Sequence, residues 1–211
     1  MGGPENAVQS VKLIFATHNP HKLKEMQLAI GSEMEIISLE EAGIRQEIPE
    51  PFDTLKENAL VKAETIHRIS GGENCFSEDT GLEVDALGGQ PGVHSARYAG
   101  EPVSPANNIQ KLLRALGDSQ ERQARFITVI CLILRGKTYF FEGRCEGQIL
   151  RNTNGVLGFG YDPVFLPEGA TKSFAQMDPD EKNRYSHRRK AADELIRFLK
   201  KQTELPVNGQ N

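Results

Sequence analysis

The chain has no tryptophan, few aromatic residues (7%) and only three cysteines, none of them spaced as CxxC. Cysteines this sparse, odd in number and far apart (Cys75, Cys131, Cys145) exclude a disulfide scaffold or a zinc ribbon. Cys75 and Cys131 lie in apolar, strand-like runs and read as buried, reduced thiols. No apolar run approaches the roughly 20 residues that span a bilayer, and the opening MGGPENAVQS lacks the basic and apolar regions of a secretory signal. These absences predict a cytoplasmic protein with no membrane partner. Positive charge is not in excess either: 25 Lys and Arg stand against 29 Asp and Glu, a net charge of −4. A sequence-independent nucleic-acid binder needs a basic face to displace counterions, so no nucleic-acid partner is expected. A single nucleotide needs only a local basic pocket and stays open. HExxH, GxSxG, GxGxxG and Walker A patterns are all missing, as are internal repeats and low-complexity linkers.

What is present is an ordinary globular balance, 38% hydrophobic and 26% charged over 211 residues, enough chain to bury roughly 70% of its unfolded surface without metal or disulfides. Residues 11–201 read as a single domain, with flexible termini at 1–10 and 202–211. Val11 to Ala16 predicts a central strand, and Asn19-Pro20 a capped helix that Gly31 ends. Glu35 to Leu39 predicts a second strand. Thr54 with Glu57 has capping-box spacing before a helix running towards Gly71-Gly72. Asn74 to Leu87 predicts two short strands broken at Thr80-Gly81, followed by a loop over Gly88 to Gly92. Ser104-Pro105 opens a helix that Gly117 stops. Arg125 to Leu134 and Lys137 to Leu150 predict a hairpin turning at Gly136, and Ser186 to Lys201 a last helix with Ala191, Leu195, Phe198 and Leu199 on its apolar face. The alternation followed by a hairpin is that of an α/β protein with a mixed central sheet.

Several clusters carry chemistry. Thr17-His18-Asn19-Pro20-His21-Lys22 sits where a strand gives way to a helix, and the free N–H groups and positive end of such a turn suit an anion. Glu50 and the adjacent Glu78-Asp79 offer carboxylate oxygens of the kind Mg²⁺ takes together with substrate phosphates. Neighbouring strand residues point to opposite faces, so Glu78 and Asp79 aim at one point only if the strand breaks, which Gly81 would allow. Gly155 to Asp162 is a glycine-rich turn carrying Phe159, an aromatic able to stack on a base. Asp180 to Lys190 turns basic as it enters the last helix, where cations oppose the helix dipole unless an anion compensates them. Each cluster alone also fits a solvated turn or helix end.

Taken in order, these segments resemble the inosine triphosphate pyrophosphatase (Ham1-like) family. The resemblance covers about residues 12 to 200 and rests on Phe15 to Lys22, Glu57-Asn58-Ala59 with Lys62-Ala63, Ser77 to Leu82, Ser95-Ala96-Arg97-Tyr98, Gly158 to Pro163 and Ser186-His187-Arg188. It implies an elongated, two-lobed α/β fold with the active-site cleft between the lobes, a homodimer, a purine nucleoside triphosphate substrate and Mg²⁺ as cofactor. It implies that Thr17, His18, Asn19, Pro20, His21 and Lys22, with Lys62, hold the triphosphate beside Thr80. Glu50 with Glu78 or Asp79 would hold the metal, and Asp79 would orient or deprotonate the attacking water. Phe159 would stack on the base while Asp162, Lys182, His187 and Arg188 read its edge, and Arg97, Gly160 and Tyr161 complete the substrate-binding set. Which of Glu78 and Asp79 is ligand and which is base stays open, because the family often has two aspartates and a serine where this chain has Glu78-Asp79-Thr80. The reaction implied is hydrolysis of ITP, dITP or XTP to monophosphate and pyrophosphate. A related pyrophosphatase for pyrimidine or modified nucleotides, and a non-catalytic nucleotide-binding protein, are the alternatives.

Overall fold

A computed structural model describes residues 11–204. Of the termini expected to be flexible at 1–10 and 202–211, residues 1–10 and 205–211 lie outside the described residues, whereas 202–204 continue the last helix. The chain begins with β1 (Lys12–Phe15), whose last three residues are buried, and helix α1 (Pro20–Ile30). The Asn19 side chain caps α1 by accepting from the backbone N–H groups of His21 and Lys22, and Gly31 closes it at φ 58°, a left-handed conformation that glycine adopts without strain. After β2 (Glu35–Ile37), Thr54 caps α2 (Leu55–Ile69) through the N–H of Glu57. The chain continues through β3 (Cys75–Val84), β4 (Pro91–Gly92) and α3 (Pro105–Leu116), which Ser104 caps. The hairpin β5 (Gln123–Leu134) and β6 (Lys137–Ile149) follows. Last come β7 (Phe165–Pro167), the five-residue α4 (Pro179–Asn183) and α5 (His187–Glu204).

The strands form one mixed seven-stranded sheet in the order β2-β1-β3-β5-β6-β7, with β4 beside β3. β1 is parallel to β2 and β3, while β3-β5, β5-β6, β6-β7 and β3-β4 are antiparallel. One apolar cluster joins α1 and α5 to the sheet through Leu13, Phe15, Met26, Phe76, Leu132 and Leu195. A second joins α2 to it through Ala59, Ala63, Ile66, Cys75 and Cys131. A third holds α3, β7 and the neighbouring turns over the other end of the long strands, around Leu82, Leu112, Phe126, Phe165 and Phe174. The three cysteines are free and buried, and burial pushes each thiol up to about 12, which leaves them unreactive. Among the described residues no helix is long and apolar enough to cross a membrane.

Three sequence expectations need correction. β3 is one unbroken strand of ten residues, paired with β5 from Cys75↔Ile133 to Val84↔Ala124. Gly81 marks a close approach instead of a break: a Cβ there would lie 2.6 Å from the carbonyl oxygen of Gly92. The stretch at 88–92 is not all loop, since Pro91–Gly92 pairs with β3 in that same approach. The last helix starts one residue later than expected and runs on to Glu204. β7 and α4 had no periodic signal, being three and five residues long.

Candidate active site

Because β3 is unbroken, its pleat sends Glu78 and Asp79 to opposite faces, and the two carboxylates acquire different partners. Glu78 is fully buried and receives Arg188 as a fork, Nε to Oε2 at 2.7 Å and Nη2 to Oε1 at 2.9 Å. Lys22 Nζ lies 3.3 Å from the same Oε1. Burial alone would raise this carboxyl, but Arg188 and Lys22 overrule it and hold Glu78 at about 2. Asp79 faces α2, where Lys62 Nζ donates to it at 3.0 Å and also to Glu50. Burial is the largest influence on Asp79; with the negative charge of Glu50 it raises the carboxyl despite Lys62 and Lys22. Glu50 is less enclosed, and there Lys62 outweighs the cost of burial and lowers the carboxyl.

Asp79 and Glu50 line a cavity of about 270 Å³ together with Lys22, Asn19, Thr80 and Arg97. Arg97 Nη2 donates to the backbone oxygen of Glu50 at 3.3 Å and lies 3.9 Å from its carboxylate. Phe159, Gly160, Tyr161, Asp162, Lys182, His187 and Arg188 line the same cavity, and Arg188 Nη2 reaches Thr80 Oγ1 at 3.5 Å. There the 3₁₀ turn Asp162–Val164 and the start of α5 bring distant residues together. Asp162 accepts from Lys182 Nζ at 2.5 Å and from the Phe159 backbone N–H at 2.8 Å. His187 stacks on Phe126 (4.7 Å between centroids). Burial first, then the cations Arg188, Lys182 and Lys22, drive His187 well below its ordinary value, so it is neutral. Its Nδ1 is the one buried side-chain N or O without a hydrogen-bond partner among the described residues. A neutral imidazole has one N–H and one lone pair to offer, and a buried polar atom left unpaired costs about 1–3 kcal/mol.

Not every predicted site residue reaches this cavity. His18 turns away and bonds the backbone oxygen of Gln46 at 2.8 Å, Thr17 accepts from the Asn19 N–H, and Pro20 is exposed. The expected free N–H groups at the start of α1 are already committed: those of His21 and Lys22 both donate to Asn19 Oδ1, and Pro20 has none. An anion there would depend on side chains, Lys22 foremost. Lys62 and Glu78 stand behind the cavity wall, each holding residues that line it.

Several residues were missed, Glu25 foremost. Glu25 of α1 accepts from Lys182 at 2.7 Å and from Arg188, and so ties these two cations together. The available signal was its position three residues after Lys22, on the same helix face. Val103, Pro105 and Asn108 also reach the cavity, brought there by α3.

The donor set suits a hard divalent cation. Glu50 and Asp79 converge on one point, marked by the Lys62 ammonium both accept from. No three His, Cys, Asp or Glu gather as a metal cage among the described residues, so further ligands would be water and substrate oxygens, the arrangement Mg²⁺ favours.

A mixed α/β sheet beside a cavity lined by the carboxylates Glu50 and Asp79, the cations Lys22, Lys182 and Arg188, the Phe159 ring and a neutral imidazole defines a site suited to a polar, anionic ligand. The sequence model of the Ham1 family matches residues 13–198, and the chain belongs to that family. It is 53% identical over 189 residues to a protein of Porphyromonas gingivalis named dITP/XTP pyrophosphatase (89% of this chain, 97% of the relative). It is 48% identical over 191 residues to one so named from Christiangramia forsetii (90% and 100%). Among solved structures it is similar to the HAM1 protein of Coxiella burnetii, with a TM-score of 0.82 and 36% identity over 90% of this chain and 99% of that one. The Staphylococcus aureus Ham1 protein gives a TM-score of 0.81 and 35% identity over the same shares.

Proposed function

We propose that this chain hydrolyses aberrant purine nucleoside triphosphates (ITP, dITP and XTP) to the monophosphate and pyrophosphate, removing them from the nucleotide pool. The observation that carries the reading is a single cavity lined both by Glu50, Asp79 and Lys22 and by Phe159, Asp162, Lys182, His187 and Arg188. The names of the relatives in Porphyromonas gingivalis and Christiangramia forsetii point the same way.

Glu50 and Asp79 would hold Mg²⁺, which when bound neutralises the triphosphate and the departing pyrophosphate. Lys22 adds charge from the side of α1, while Lys62 keeps the two carboxylates in place. Asp79 orients the attacking water and takes its proton, a role worth about 10²–10⁴-fold. Its pairing with Lys62 instead of Arg188 supports this role for Asp79 over Glu78, which is the buried counter-ion of Arg188. In the same cavity Phe159 stacks on the base and the donors of Lys182, His187 and Arg188 meet a 6-oxo edge. Adenine would present its 6-amino group to those donors, leaving buried polar groups unpaired at about 1–3 kcal/mol each. The same reading includes a homodimer in the cytoplasm.

The test is pyrophosphate release from ITP, XTP, dITP, GTP, ATP and dTTP, with Mg²⁺ and with EDTA. Metal-dependent release fastest for ITP or XTP supports the reading. Release fastest for dTTP would leave the chemistry and overturn the base pocket; no release from any would overturn both.

A further inference from the structure

We propose that His21 forms the second wall of the base slot, so that a bound purine lies between the His21 imidazole and the Phe159 ring. The inference rests on the functional reading above, and it reassigns a residue that the resemblance puts among those holding the triphosphate.

In the structure the two rings are stacked on each other, with centroids 5.1 Å apart and planes 15° from parallel. Both line the cavity. The His21 backbone N–H is committed to Asn19 Oδ1 at 2.9 Å, so it is not free for a phosphate, and the imidazole lies flat on an aromatic face. The Phe159 ring also lies near two cations, with Lys182 Nζ 5.4 Å and Arg188 Cζ 5.7 Å from its centroid. A base between the two rings would thus have one face on His21 and lie close to these cations.

A flat ring between two others needs two contacts of about 3.5 Å, roughly 7 Å between the outer planes. The slot must then widen by roughly 2 Å. Both backbones are pinned, His21 by Asn19 and Phe159 by Asp162 Oδ2 at 2.8 Å. The widening falls to the side chains, and His21 is exposed enough to swing. Stacking reads the face of a base and not its substituents. His21 therefore adds affinity for purines in general, while discrimination at position 6 stays with Lys182, His187 and Arg188.

The experiment compares wild type, His21→Ala and His21→Phe in steady-state hydrolysis of ITP and XTP. Competitive inhibition by IMP and by inorganic tripolyphosphate is measured in parallel. His21→Ala is expected to raise KM for ITP and XTP alike, and the IMP inhibition constant with them, by about 5- to 100-fold, the range a lost base–aromatic stack gives. Tripolyphosphate inhibition and kcat should stay near wild type, and His21→Phe should restore the IMP constant. If His21→Ala weakens tripolyphosphate as much as IMP, His21 holds phosphate and the proposal falls. It falls equally if the variant binds IMP as well as wild type or better, because the imidazole is then only a cover that the base displaces. A wild type that releases no pyrophosphate from ITP and is not inhibited by IMP would instead overturn the functional reading itself.

Discussion

The guanidinium of Arg188, at the start of α5, meets the carboxylate of Glu78, in the middle of β3, through two hydrogen bonds of 2.7 and 2.9 Å, with both side chains almost wholly buried. The pair joins the start of α5 to the strand that carries Asp79. Two charges taken out of water together are tolerated because each compensates the other; removing one leaves the other stranded. Arg188→Ala should therefore destabilise the protein by about 3–5 kcal/mol in denaturant unfolding, as well as weakening ITP binding. A much smaller loss would mean that Glu78 finds its compensation in Lys22.

The same pair sets an acid limit on stability. Glu78 is held at about 2 in the folded protein against an ordinary 4.5. A carboxyl depressed by folding contributes stability that is present above its unfolded value and disappears as pH falls towards its folded one. The loss should be on the order of 3 kcal/mol between about pH 5 and pH 2. His187 adds an earlier step: it is held well below 6.5, so the unfolded chain takes up its proton first and stability begins to fall below about 6.5. Unfolding free energies across this range should show both steps. Glu78→Gln should remove the lower one and His187→Gln the upper one.

Asp79 gives a prediction about turnover. Asp79→Asn preserves the shape of the side chain and removes its charge, and it should lower kcat by about 10²–10⁴-fold while the protein still binds ITP. Because burial and Glu50 raise the Asp79 carboxyl, it is protonated over a wider acid range than an ordinary aspartate. In the metal-free protein the Asp79 carboxyl should accordingly titrate above 3.8, the ordinary value, and that titration should be absent from Asp79→Asn. Retention of most of the wild-type kcat would move the base to another residue.

These roles were only partly legible in the sequence. The caps of α1, α2 and α3 and the hairpin turn at Gly136 depend on local chemistry within a few residues, and could be read from the chain. The continuity of β3 could not, because it is imposed by twelve-residue β5 alongside, and the glycine that looked like a break serves contact with β4. For the same reason the division of labour between Glu78 and Asp79 was hidden: it depends on which face meets α5 and which meets α2. The sequence placed both Arg188 and Glu78 at the site but not their pairing across 110 positions, and the position of Glu25 beside Lys22 could not show that it reaches Lys182 across 157.

Glu25 is accordingly the residue whose removal tests the proposed base-reading cations without touching the carboxylates Glu50 and Asp79. It accepts from Lys182 and Arg188 at once, and its own side chain is only 20% exposed. Glu25→Gln keeps the size and loses the charge that balances these cations. Charge-assisted hydrogen bonds contribute about 1.5–3 kcal/mol, so a fall of that order in unfolding free energy is expected. KM for ITP should rise with kcat nearly unchanged, because Glu50 and Asp79 are intact. A loss confined to kcat would show that Glu25 acts on the chemistry instead of the base.

Gly143 of β6 carries the last prediction, because it sets how near α5 can lie to the sheet. A Cβ at this position would fall 2.1 Å from the His187 carbonyl oxygen and 2.4 Å from the Ala191 N. Both are backbone atoms, so no side-chain rotation relieves the clash. Gly143→Ala must push the first turn of α5 away from the sheet, and His187 and Arg188 go with it. Overpacking of this kind costs about 1–3 kcal/mol, visible as a lower Tm. A purely structural glycine would show that and nothing more. Here KM for ITP should rise and the proposed preference for ITP over ATP should narrow, since His187 and Arg188, the donors proposed to meet the 6-oxo edge, stand on the displaced turn. A variant that melts earlier yet keeps both its KM and its ITP/ATP ratio would show that the turn absorbs the methyl group without moving those donors.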